Sequence, residues 1–216
     1  MIVSSDPRVA YFPPSKTGTT TVEQLFRELD FNIVVGRALK HDIPPADRIA
    51  ELDEQGYFFM ATVRNPYSRC VSMWSHFQKN NNAPAKPHQQ QYVLRSEITE
   101  VSAAMDFGTW VREVLTDEYY SNRFASYLSN QADYLAAMPR QDAILRQETL
   151  TSDLLKLPFI QERKVQSIEA QRIGTYRAKA HWKKLYDDAD GVNSVKCRFE
   201  PDFDAAGYPT DFERAV

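Results

Sequence analysis

The run Phe58-Phe59-Met60-Ala61-Thr62-Val63 limits the possible folds more than any other stretch of the chain. It shows no alternation of polar and apolar residues and so offers no face to water, which marks a strand covered on both sides, as in a parallel sheet between helices. Directly after it, Asn65 is a good helix N-cap and Pro66 suits the first helical position. Cys70, Val71, Trp74 and Phe77 then recur on one side of the helix so begun. Arg64 therefore stands at the carboxyl end of a central strand, the edge where open α/β sheets bind ligands. A guanidinium there gives bidentate hydrogen bonds to a phosphate, with Ser72 on the flank of the helix as a second contact. The competing account makes Arg64 and Arg69 partners of nearby carboxylates.

A second strand-to-helix junction lies upstream. Arg8-Val9-Ala10-Tyr11-Phe12 is short, partly β-branched and aromatic, and stops at Pro13-Pro14, while Val22, Leu25, Phe26 and Leu29 recur at helical spacing soon afterwards. Between them stand Ser15, Lys16, Thr17, Gly18, Thr19, Thr20 and Thr21: small hydroxyl residues, one glycine and one lysine. At such a junction the first N–H groups of the helix lack intrahelical partners and the helix dipole adds about half a positive charge, so an anion is welcome. Gly18 lets the backbone approach closely and Lys16 supplies a point charge. The plainer alternative has the threonines capping a helix and Lys16 in solvent. The order differs from the G-x-x-x-x-G-K-[ST] of a Walker loop, because here the lysine precedes the glycine.

The remainder of the chain alternates in the same manner. Phe31-Asn32-Ile33-Val34-Val35 and Ala143-Ile144-Leu145-Arg146 read as further strands, residues 47–55 as a short polar helix closed by Gly56, residues 107–115 as a helix, and residues 119–138 as an aromatic, helix-compatible stretch ending at Pro139. Residues 162–170 read as a helix or linker. The polar stretch around 78–100 has little to bury and reads as a mobile loop. This pattern predicts an α/β protein, a three-layer α/β/α arrangement with a mainly parallel central sheet and a P-loop-like nucleotide-binding core, formed as one domain over residues 1–216. A formal charge of −3 and a pI near 5.8 argue against broad electrostatic binding to nucleic acid or an anionic membrane, so an anionic partner is expected to be small. Cys70 and Cys197 are the only cysteines, too few for a disulfide framework. With no signal-peptide pattern at residues 1–7 and no apolar run of membrane-spanning length, the expectation is a soluble cytoplasmic protein.

Taken together, the two junctions resemble the two cofactor motifs of sulfotransferases that use 3′-phosphoadenosine 5′-phosphosulfate (PAPS). Arg64-Asn65-Pro66-Tyr67-Ser68-Arg69-Cys70-Val71-Ser72 matches the family's R-[DN]-P-x-x-R-x-x-S throughout. Pro14-Ser15-Lys16-Thr17-Gly18-Thr19-Thr20 matches its P-K-[ST]-G-[ST]-[ST] loop with Ser15 as an extra residue. Further on, Glu148 to Asp153 resembles the family's E-[DN]-L-x-x-D segment and Asp202 to Tyr208 its D-F-x-x-x-G-Y ending, so the resemblance runs from about Val9 to Tyr208 and is closest to the carbohydrate branch.

The resemblance implies that the residues from Ser15 to Thr21 bind the 5′-phosphosulfate, that Arg64 and Ser72 bind the 3′-phosphate, and that Thr175 and Arg177 close over it. It also implies sulfuryl transfer to a hydroxyl of a carbohydrate or other small acceptor, without a metal. Lys16 then meets the leaving oxygen. His41, in the loop before the Phe58 strand where several carbohydrate sulfotransferases carry a catalytic histidine, is the candidate general base, ahead of His76, His88 and His181. Glu148 reads as structural. Two other functions suit a strand, loop and helix of this kind: a small-molecule or nucleotide kinase, and a nucleotide-binding module without turnover.

Overall fold

The computed structural model describes residues 1–35, 41–80, 100–123, 125–168 and 181–215. Among the described residues, five strands form one sheet: β1 (Ile2–Ser5), β2 (Arg8–Phe12), β3 (Ile33–Val35), β4 (Phe58–Val63) and β5 (Ala143–Arg146), in the order β3-β1-β2-β4-β5. β2 pairs in parallel with β4, and β4 with β5, whereas β1 runs antiparallel to both β2 and β3. The sheet is therefore mixed. Its antiparallel part comes from β1, which makes a hairpin with β2 and stands between β2 and β3. Sequence reading passed over β1 because four residues ending in two serines carry little strand signal.

The side chains of β4 explain its apolar composition. Phe59, Ala61 and Val63 join a cluster with Ala10 and Phe12 of β2, with α2 (Ala46–Glu54) and with α3 (Pro66–Asn80). Met60 joins a second cluster with Val9 and Tyr11, with α1 (Thr19–Glu28), and with Leu145 of β5. Alternate residues thus enter different clusters, and neither face of the strand is left to solvent. α1 buries Val22, Leu25 and Phe26, and the Phe26 ring lies 5.0 to 6.4 Å from those of Tyr11, Phe31 and Phe159. Registers set Phe12 beside Ala61 and Val63 beside Arg146, so β2, β4 and β5 end along one edge.

Residues 119–138 do not form one helix. They divide into α5 (Glu118–Arg123), α6 (Ala125–Leu128) and α7 (Gln131–Ala137), after α4 (Phe107–Trp110) and its π-helical continuation Val111–Leu115. The break before α7 has a chemical cause: the carbonyls of Tyr127 and Ser129 accept from Arg69, and that of Leu128 from Arg198, so a continuous helical ladder is not made there. After β5 come α8 (Leu150–Leu154) and α9 (Pro158–Gln161), then α10 (Ala189–Arg198) and α11 (Glu200–Ala206), which ends at Gly207 in the left-handed region. The expected helix or linker at 162–170 has no regular element over residues 165–168. The polar loop expected around 78–100 begins inside α3 and for residues 81–99 lies outside the described residues. Among the described residues, no helix is long and apolar enough to cross a membrane.

Candidate functional site

The loop between β2 and α1 is held by its carbonyl oxygens. Four in succession accept hydrogen bonds from side chains: Pro13 O lies 2.9 Å from His41 Nδ1, Pro14 O accepts from Thr17 Oγ1 at 2.8 Å, Ser15 O from Arg69 Nε at 3.1 Å and Lys16 O from Arg64 Nη1 at 3.3 Å. In a trans peptide group the N–H points opposite to the C=O. Fixing the carbonyls of Pro14, Ser15 and Lys16 against the protein therefore turns the N–H groups of Ser15, Lys16 and Thr17 the other way. Lys16 sits at φ +71° and Gly18 at φ +100°. A Cβ on Gly18 would stand 2.6 Å from Leu150 Cδ2, so glycine is required for space as well as for conformation. α1 starts at Thr19 with no side-chain cap and no acidic residue in its first turn, an arrangement that suits an anion.

Beneath this loop runs a chain of buried hydroxyls. Thr17 gives its proton to Pro14 O, so in its 2.7 Å contact with Thr62 Oγ1 it accepts. Thr62 has then used its own proton and must accept across the 2.8 Å contact from Tyr11. Burial raises the Tyr11 phenol above its ordinary range, consistent with a neutral donor at the head of the chain. The Thr17 hydroxyl is thus a fastener within the protein. Ser15 Oγ is buried and makes no hydrogen bond, while Thr20 remains half-buried.

Arg64 is 9 % exposed. Its Nε donates to Ser68 Oγ at 2.9 Å, and its backbone is clamped by Gln131, which accepts from Arg64 N at 2.7 Å and donates to Arg64 O at 2.8 Å. Asn65 Oδ1 accepts from Tyr67 N at 3.0 Å, the cap expected for α3. Asn65 N donates to Glu148 Oε1 at 2.9 Å, and Glu148 Oε2 accepts from the Tyr208 hydroxyl at 2.7 Å, so Glu148 anchors the junction to the end of α11. Burial first, and the neighbouring Glu148 charge second, push the Tyr208 phenol well above its ordinary range. Ser72 lies one helical turn beyond Ser68, on the same side of α3, and is half-buried.

Lys16, Arg64 and His41 are therefore brought to one place, around residues 13–16. Because the Pro13 carbonyl can only accept, His41 Nδ1 carries a proton and the neutral ring has its lone pair on Nε2. The His41 carbonyl in turn accepts from the Tyr134 hydroxyl. Thr21 is buried and, with Gln24, Leu25, Glu28, Leu29, Val165, Ser167 and Ile168, lines a cavity of about 310 Å³ beside α1. Thr175, Arg177 and His88 lie outside the described residues. His76 stacks on Tyr127. Sequence reading missed Gln131 and the pairing of Arg69 with Asp202. The carboxylate-partner account, raised for both arginines, describes Arg69. Among the described residues, no group of three or more His, Cys, Asp or Glu side chains could hold a metal ion.

No protein-family model, no curated protein and no solved structure matches this chain. Its chemistry rests on the residues themselves.

Proposed function

We propose that the chain binds PAPS at the shared edge of β2 and β4 and transfers its sulfuryl group to a hydroxyl of a carbohydrate or other small acceptor. The observation that carries the reading is the meeting of the two motifs: Arg64 bonds to Lys16 O across 48 residues of sequence, and Arg69 of the same motif bonds to Ser15 O. This reading takes the strand, loop and helix as a P-loop-like core between two helical layers. The residues fit the group. α1 offers an uncapped N-terminus free of acid in its first turn, and the cavity that begins at Thr21 falls at the small end of the roughly 300–1,000 Å³ typical of ligand pockets.

PAPS supplies a sulfuryl group whose sulfur–oxygen bond to phosphate breaks, the electron pair leaving with the phosphate oxygen, as the acceptor oxygen bonds to sulfur. Lys16 and the N–H groups at the start of α1 stabilise negative charge growing there. His41 takes the acceptor's proton at Nε2, its ring orientation held by Pro13 O. Arg64 and Ser72, with Thr175 and Arg177, hold the 3′-phosphate.

The test is ligand choice followed by turnover. The melting temperature should rise with 3′,5′-bisphosphoadenosine and far less with ATP or GTP, and radiolabelled PAPS should pass its label to hydroxyl acceptors, glycans among them. Stabilisation by ATP or GTP instead moves the assignment to a kinase. Tight bisphosphate binding with no transfer to any acceptor leaves a binding module. In the active enzyme, His41→Ala should lose turnover while keeping bisphosphate affinity.

A further inference from the structure

Arg69 is the least exposed arginine beside the site, at 1 %, and it touches three separated parts of the chain at once. Its Nε donates to Ser15 O of the loop, its Nη1 lies 3.3 Å from Asp202 Oδ2 of α11, and its Nη2 donates to the carbonyls of Tyr127 at 3.2 Å and Ser129 at 2.8 Å. Asp202 is fully buried. It also accepts from Ala132 N at 2.9 Å and from Gln131 Nε2 at 3.2 Å, and Gln131 is the side chain that clamps the Arg64 backbone. The Arg69 guanidinium further lies 5.3 Å from the centre of the Phe199 ring. Every one of these partners belongs to the protein, so the second arginine of the Arg64 to Ser72 motif is spent internally.

We infer that Arg69, neutralised by Asp202, is a positioning residue that sets the direction of the Ser15–Lys16 peptide group and thereby aims the Lys16 N–H at the bound anion. The assignment rests on the nucleotide reading only in naming what that N–H meets. A charged donor on Ser15 O holds the carbonyl inward. The Lys16 N–H, on the opposite side of the same peptide plane, must then face away from Arg69. Without this donor the peptide can rotate, and rotation would present a carbonyl oxygen where an anion requires an N–H. Asp202 supplies the countercharge without which a buried guanidinium would be costly to keep. The terminal Asp202-Phe203 pair thus does more than pack α11, because its carboxylate reaches the loop through one intermediary.

The experiment replaces the pair as a unit. R69M/D202N removes both charges, strands neither, and keeps an acceptor for Ala132 N. A merely structural pair would leave a folded variant with an unchanged loop. In ¹³C/¹⁵N-labelled protein, the Ser15 carbonyl resonance should move upfield while those of Pro13 and Pro14 stay in place. Affinity for 3′,5′-bisphosphoadenosine, measured by calorimetry well below the variant's melting transition, should fall about ten-fold or more, as for loss of a charge-assisted contact; the melting temperature itself should fall, because the Ser15, Tyr127 and Ser129 carbonyls lose their donor. R69K keeps the charge opposite Asp202 but cannot span Ser15 and the two α6–α7 carbonyls together, so it should reproduce the Ser15 shift if the double variant does not fold. A folded variant with a parental Ser15 resonance, or with a displaced one and parental affinity, overturns the assignment. If the parent itself fails to bind the bisphosphate, the nucleotide reading falls, and the Ser15 resonance alone decides for or against Arg69.

Discussion

The junctions β2–α1 and β4–α3 are both strand ends that open a helix at the same sheet edge, yet they are finished in opposite ways. α3 is closed: Asn65 caps it, Glu148 takes the Asn65 N–H, and Gln131 satisfies both backbone groups of Arg64. α1 is left open at its start, with a left-handed Gly18 in the cap position and no side-chain cap. The carbonyls of its loop are taken by side chains of the protein. The closed junction has its backbone groups satisfied by side chains of the protein, and it also donates to the carbonyls of the open one. Arg64 and Arg69, both carried by the closed junction, supply two of the four bonds to the open loop's carbonyls.

The largest effect is expected at Gly18. Gly18→Ala places a Cβ against Leu150 and forces a left-handed backbone on alanine, and should destabilise the protein by about 3 kcal/mol in chemical denaturation. A change below about 1 kcal/mol would show that the loop adapts freely.

Next comes Arg64→Ala, which should weaken 3′,5′-bisphosphoadenosine binding by about 1.5–3 kcal/mol. Adenosine 5′-phosphosulfate sharpens the result. If Arg64 acts on the 3′-phosphate, this smaller ligand is little affected; if Arg64 acts chiefly as a strut on Lys16 O, both ligands lose affinity alike.

Asn65→Ala removes the cap from the closed junction and should cost about 1 kcal/mol of stability, with bisphosphate affinity changing far less than in Arg64→Ala. Equal losses in calorimetry would mean that the Asn65 cap, and not the Arg64 side chain, governs binding at this helix start.

The smallest effect has the opposite sign. Lys16→Gly relieves a side chain held at φ +71° and should stabilise the fold by up to about 1 kcal/mol, offset in part by the entropy of glycine. Sulfuryl transfer should nevertheless be lost. A destabilised Lys16→Gly would mean that the lysine is there for the fold.

How far these features could be read from sequence follows the range of the forces involved. The apolar run of β4, the Asn65–Pro66 start of α3 and the spacing of Val22, Leu25 and Phe26 on α1 were legible because strand burial, capping and helical periodicity act between residues a few positions apart. The same locality made Gly18 and Lys16 recognisable as a loop before a helix. β1 was not legible, since its place is set by pairing with β2 and β3 and not by its own four residues. Nor was the division of residues 119–138, because the donors that take the Tyr127, Leu128 and Ser129 carbonyls come from α3 and α10. The chain's residue types by themselves determined that two strand-to-helix junctions carry cationic and hydroxyl groups. Only the tertiary structure decided that Arg64 meets Lys16 and that Arg69 meets Asp202, 133 positions away. A buried guanidinium takes whichever carbonyls and carboxylate the packing brings within about 3 Å, and sheet order and helix docking set those distances where spacing along the chain does not.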